Sequence, residues 1–166
     1  SSIAGSVRSP LRSPSFTTAG LAPNISGVAD TTAPTLVGSA IVDDKGGSPV
    51  PVSTLVTYTV TFSEDMDAST LDATDFGNAG TAPVTIGAVS ETLPGIFTVP
   101  VTPTSAGTLQ LQIPISTIVK DVAGNNLVTT SALADDTIIT VNTAFDSWSN
   151  STFANGTLSD TNAALD

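Results

Sequence analysis

Neither cysteine nor histidine occurs among the 166 residues, and lysine plus arginine number only 4. Without thiols no disulfide can staple the chain, and neither a thiolate nucleophile nor a cysteine-based zinc site can be built. Without imidazole the commonest general base is missing too. Most enzyme classes are thereby excluded, and the sequence reads as non-enzymatic. Acidic residues cluster at Asp43 and Asp44, at Glu64, Asp65 and Asp67, at Asp72 and Asp75, and at Asp135 and Asp136. A glycosidase needs two carboxyls roughly 5–9.5 Å apart across a sugar-sized cleft, whereas these fall in short turn-forming stretches. The net charge of -11 would repel a phosphate backbone, so nucleic acid is excluded as a partner. The sequence has no run of about 18 apolar residues and no charged-then-apolar leader, so we expect no membrane span or signal peptide within it, as in a mature or excised segment.

What the chain does have is threonine, serine, asparagine and glycine around a hydrophobic content of 40%, with charged residues at only 11%. This is the composition of a β-protein, and its poverty in lysine points to an extracellular or cell-surface setting. Residues 1–30 carry Pro10, Pro14 and Pro23 among small residues without sustained alternation, and read as an extended arm or linker. Leu36 to Val42 fits a first strand, turned by Asp43-Asp44-Lys45-Gly46-Gly47. The clearest strand is Val56 to Phe62, where Val56, Tyr58, Val60 and Phe62 share one face and three threonines the other. The same period of two recurs at Val84, Ile86 and Ala88, at Phe97, Val99 and Val101, at Leu109, Leu111 and Ile113, and at Ile139 and Val141. Pro100 lacks an N–H within one of these runs, which argues for an edge strand or a bulge there. Turn-forming clusters lie between the runs at Gly77-Asn78-Ala79-Gly80, Pro94-Gly95, Ser105-Ala106-Gly107 and Gly124-Asn125-Asn126. Spacing and turn chemistry predict an all-β fold, an immunoglobulin-like antiparallel β-sandwich of about seven strands. It spans residues 31–141, between the arm 1–30 and a C-terminal tail 142–166.

The strings VTYTVTFSEDMDASTLDATDF (56–76), IFTVPVTP (96–103), GTLQLQI (107–113) and IVKDVAGNNL (118–127) resemble, in that order and spacing, the bacterial Ig-like domains of S-layer proteins and large adhesins. Asp30-Thr31-Thr32-Ala33-Pro34 resembles the linker that joins successive domains of this kind. The resemblance implies a structural module of a secreted or surface protein: a subunit of a fibre or surface layer, or a stalk unit of an adhesin, whose partners are neighbouring Ig-like domains or further copies of itself. An extended arm can add a strand to a neighbour's sheet edge, and head-to-tail contacts that do not close produce filaments. Residues 144–166 resemble the segment that precedes an Asp-rich calcium-binding repeat and sorting signal in secreted proteins of some environmental bacteria.

Topology brings Asp30, Glu64, Asp65 and Asp121 to one pole of such a sandwich, if Leu36 to Val42 and Val56 to Phe62 are its first two strands. Calcium takes six to eight oxygen ligands from carboxylates, carbonyls and water, so these four acids are candidate metal ligands. The resemblance carries a calcium role onto Glu64, after the TFS strand, and onto Asp121 of the D-x-A-G-N turn. Asp43, Asp44, Asp135 and Asp136 fall nearer the opposite pole. A second reading stays open, in which the acids simply cap turn amides, for no complete EF-hand loop is present. The alternative function is a carbohydrate-binding accessory module of a surface enzyme, since sugars stack on exposed aromatics. Tyr58, Phe62 and Phe97 are assigned to the core, leaving Phe16, Phe76, Phe145, Trp148 and Phe153, with Trp148 as the candidate platform.

Overall fold

The structure is a computed structural model that describes residues 28–129 and 131–143. Residues 1–27, the C-terminal tail from 144 onward and the aromatics Phe16, Phe145, Trp148 and Phe153 lie outside them. Among the described residues eleven strand segments run in order: β1 Leu36–Asp43, β2 Val50–Pro51, β3 Val56–Phe62, β4 Gly77–Asn78, β5 Val84–Ile86, β6 Ser90–Leu93, β7 Ile96–Pro103, β8 Gly107–Leu109, β9 Leu111–Ile113, β10 Leu133–Ala134 and β11 Ile139–Asn142. The largest sheet has the order β1-β3-β7-β5, with β6 also pairing β7, and two three-stranded sheets run β10-β9-β4 and β2-β11-β8. All pairings are antiparallel except β2 with β11.

Alternation places the core. On β3, Val56, Tyr58, Val60 and Phe62 are buried, and on β7 Phe97, Val99 and Val101 join them. Leu109, Leu111, Ile113, Ile139 and Val141 from the smaller sheets complete the same apolar cluster. Phe62 and Phe97 meet edge to face, ring centroids 5.8 Å apart at 86°, a favoured aromatic geometry. Phe76, grouped by sequence with the exposed aromatics, is instead buried. It follows a short 3-10 turn whose Asp72 and Asp75 form a capping box, and this turn delivers the ring to the core.

Two breaks divide strands that the alternation pattern shows as continuous. Gln110 separates β8 from β9 as the chain passes between sheets. Its N–H is met by Asn78 Oδ1 at 2.7 Å, and its own Nε2 donates to the Asp135 carbonyl at 2.7 Å. Asn78 Nδ2 donates in turn to the carbonyls of Ala82 and Thr108, so the crossover leaves these polar groups satisfied. The second break concerns Pro100. β7 is an interior strand, paired with β3 on one side and with β5 and β6 on the other, so the edge position fails and the bulge holds. Between Ile86↔Val101 and Ser90↔Thr98 the partner strand is one residue longer. Pro100 sits in that gap, where its carbonyl still accepts from Gly87 N–H at 2.8 Å. The proline ring favours glycine at position 87, where an added Cβ would lie 3.0 Å from its Cγ.

One core group is unmatched. The Tyr58 hydroxyl is buried without a hydrogen-bond partner among the described residues, and an unmet buried polar group costs about 1–3 kcal/mol. Burial first, then the negative charges of Asp135 and Asp43, push its ionisation well above the ordinary tyrosine range. Tyr58→Phe is expected to keep the fold and raise stability by about 1 kcal/mol, measured by denaturant unfolding. A loss of stability would show that the hydroxyl is engaged.

Candidate metal-binding pole

The entering chain is tied to the end of β3 by two reciprocal bonds: Ser63 N–H donates to the Thr35 carbonyl at 2.8 Å, and Thr35 N–H to Ser63 Oγ at 3.0 Å. Glu64 follows immediately. Opposite it runs the stretch Val119 to Leu127, closed on itself by Leu127 N–H to the Val119 carbonyl at 2.9 Å and stitched to the segment after β3 by a Met66–Asp121 bridge. Met66 is buried beneath this contact, so the position of the turn is set by packing as well as by hydrogen bonds.

Asp121 is the centre of the arrangement and is only 1% exposed. Its Oδ1 accepts from the Asn125 N–H and its Oδ2 from Asn125 Nδ2, both at 2.8 Å. Burial alone would raise its pKa, but the hydrogen bonds from Asn125, Gly124 and Ala123 hold the carboxyl below the ordinary aspartate value. Asn125 Nδ2 also donates to the Asp30 carbonyl at 3.2 Å. Asp30 is thereby held beside Asp121, while its own Oδ1 takes the Thr32 N–H at 2.9 Å. Asn125 is the residue that sequence reasoning misses at this pole. Its signal is the spacing of four from Asp121, which lets one side-chain amide bridge the turn and the entering chain.

One carboxylate oxygen from each of Asp30, Glu64 and Asp121 comes together, all within 4.8 Å of one another. Among the described residues no lysine or arginine forms an ion pair with them, the one such pair being Lys45 with Asp44. Glu64 bears the effect of this crowding. Burial, followed by the charges of Asp30 and Asp121, raises its carboxyl above the ordinary glutamate value. Three hard oxygen donors of like charge suit a hard cation. Asp65, the fourth acid expected at this pole, is exposed and outside the trio. Its carbonyl accepts the Val122 N–H at 3.3 Å, and it lines a shallow groove with Glu91 and Pro94.

Facing antiparallel sheets around one apolar core, with loops gathered at each end, make this an immunoglobulin-like β-sandwich. The family model described as bacterial Ig-like domain matches residues 30–140, and the chain belongs to that family. Among solved structures it is similar to the N-terminal part of the bacterial S-layer protein SbsC, at 19% identity and a TM-score of 0.39. That match covers 67% of this chain and 24% of the S-layer chain. No curated protein matches the chain. No helix among the described residues is long and apolar enough to cross a membrane.

Proposed function

We propose that the chain is a non-enzymatic structural module of an extracellular or cell-surface bacterial assembly, in which the acidic pole takes a calcium ion that fixes the entering chain against the sandwich. The assembly is a fibre or surface layer, or the stalk of an adhesin. Membership of the bacterial Ig-like family supports the structural role, as does the lack of any histidine or cysteine for catalysis. The observation that carries the calcium reading is the convergence of Asp30, Glu64 and Asp121. Asp30 belongs to the chain leading into the domain, so an ion shared by the three would clamp that lead to the body. Carbonyls and water would supply the remaining ligands that calcium requires.

Thermal unfolding with calcium and with a chelator tests this, because a ligand bound only by the native state raises the midpoint. At one hundred times the dissociation constant the gain is about 2.7 kcal/mol, which for a domain of this size is on the order of 10 °C. Magnesium, which demands tighter octahedral geometry, is expected to shift the midpoint less, and Glu64→Gln to reduce the calcium shift. No shift at millimolar calcium, or an unchanged shift in Glu64→Gln, sinks the site.

A further inference from the structure

Two sheet edges face each other across an unfilled groove. β1 ends the largest sheet and β10 ends the sheet it shares with β9 and β4; among the described residues β1 pairs only with β3, and β10 only with β9. Each therefore carries one row of backbone donors and acceptors with no strand beside it, the usual template for strand addition. Between them lies a groove of about 420 Å³, lined by Gly38, Ser39 and Ile41 from one side and by Ala132, Leu133 and Ala134 from the other. Ser39 Oγ donates to Asp136 Oδ2 across it at 3.1 Å. β1 is irregular at this place: its register on β3 shifts between Leu36 and Ile41, and Gly38 adopts φ +59°.

The chain itself contains a segment of complementary chemistry. Both arginines, Arg8 and Arg12, lie in residues 1–27, which hold no acidic residue, whereas residues 28–143 carry 12 of the 15 acids of a chain with net charge -11. Within that segment Ile3, Val7 and Leu11 share one parity and Arg8 and Arg12 the other. Extended, such a strand presents apolar side chains to one face and guanidinium groups to the opposite one. The small residues lining the groove leave room for the apolar set, and Asp136 among them offers the arginines a carboxylate. Val28, where the described chain begins, is 98% exposed. Twenty-seven extended residues reach about 90 Å, enough to cross to a neighbour.

We propose that residues 1–27 of one copy add as a strand in the β1/β10 groove of a second copy. Arm and groove are different surfaces, so the contact is heterologous, and repetition without closure builds a filament. This rests on the reading of the chain as an assembling module, and not on calcium.

The test is sedimentation of the full chain in chelator, alone and as two variants. Ala132→Trp fills the groove from an exposed position and keeps the arm. Arg8→Glu with Arg12→Glu reverses the arm's charge and keeps the groove. The unmodified chain is expected to form open-ended, concentration-dependent oligomers, and each variant to associate at least about tenfold more weakly at matched thermal midpoints. Mixing the two variants should restore association, halted at pairs because only one arm and one groove remain competent. A chain that stays monomeric at about 100 µM, as it would if each arm filled its own groove, overturns the proposal. Oligomers that survive both variants, or a mixture that stays dissociated, overturn it equally. Association in chelator with no calcium shift in melting would reject the metal site alone, and the converse would reject the arm.

Discussion

Replacing Gly95 by alanine is expected to cost about 3 kcal/mol, lowering the midpoint by on the order of 10 °C, and to weaken the calcium response with it. Gly95 closes the turn from β6 into β7 and is held at both ends: its carbonyl accepts Phe62 N–H at 2.8 Å and its N–H donates to Glu91 Oε1 at 3.2 Å. Its φ of +72° is left-handed, which strains any residue with a Cβ. Here the Cβ would also run into the Glu64 carbonyl oxygen, with the Glu64 carbonyl carbon at 3.0 Å. Neither group can swing away as a long side chain could, so the Glu64 peptide must shift, and its carboxylate moves with it. Gly46→Ala is the control. It has φ +59° but nothing within 4 Å of the added Cβ, so only the conformational penalty of about 1–2 kcal/mol applies, with the calcium response intact. Equal effects of the two substitutions would show that strain alone acts at Gly95 and that the turn does not position Glu64.

The strands that bury one face were legible because their chemistry alternates. Val56 to Phe62 and Phe97 to Val101 show the period in sequence and the burial in space. Legibility fails where one contact decides. Pro100 reads locally as either an edge residue or a bulge, and only the extra residue in the facing strand, at Gly87, decides for the bulge and lets it sit inside a sheet. Glu64 and Asp121 were found through topology and family likeness, but Asp65 follows Glu64 directly, and neighbouring residues in extended chain point to opposite sides. Asp43 was read as a turn acid, yet it closes β1 and is buried. It keeps parity with Ile41 and lies opposite Tyr58 in the ladder, so the alternation already turned it inward. Asp135 gave no such signal, for its burial comes from a strand of two residues and a bond to Leu111.

Those two aspartates yield the second large effect: below neutrality the protein is expected to become more stable before it becomes less so. Asp43 and Asp135 are 6% and 2% exposed, and the Thr137 hydroxyl lies 2.8 Å from an oxygen of each. A hydroxyl has one proton and can donate to only one carboxylate. The other short contact needs a proton of its own. Asp43 already accepts the Lys45 and Gly47 N–H groups, whereas burial, outweighing the Thr137 hydrogen bonds and aided by Asp136 and Asp43, raises the Asp135 carboxyl above its ordinary value. The consistent arrangement has Asp135 donating to Thr137 and Thr137 donating to Asp43. The Tyr58 phenol faces the same two acids; Lys45 pairs with Asp44 and neutralises neither. Because Asp135 is raised in the folded state, its contribution is full below the unfolded value and is lost as pH climbs through the folded one. Asp121, Asp67, Asp72 and Asp44 are lowered and act oppositely, their contribution vanishing as pH falls through their folded values. Stability in chelator should therefore rise as pH falls through the raised folded-state value of Asp135 and decline again in stronger acid. Asp135→Asn supplies the missing donor permanently. Its amide can donate to Thr137 while its oxygen keeps the Thr137 N–H, so the variant should gain about 1 kcal/mol near neutrality and lose much of the rise on acidification. The residual slope belongs to Glu64 and Asp75, which are also raised. A destabilised Asp135→Asn near neutral pH, or an unaltered slope, would mean that both carboxylates are ionised and that something other than a proton holds them together.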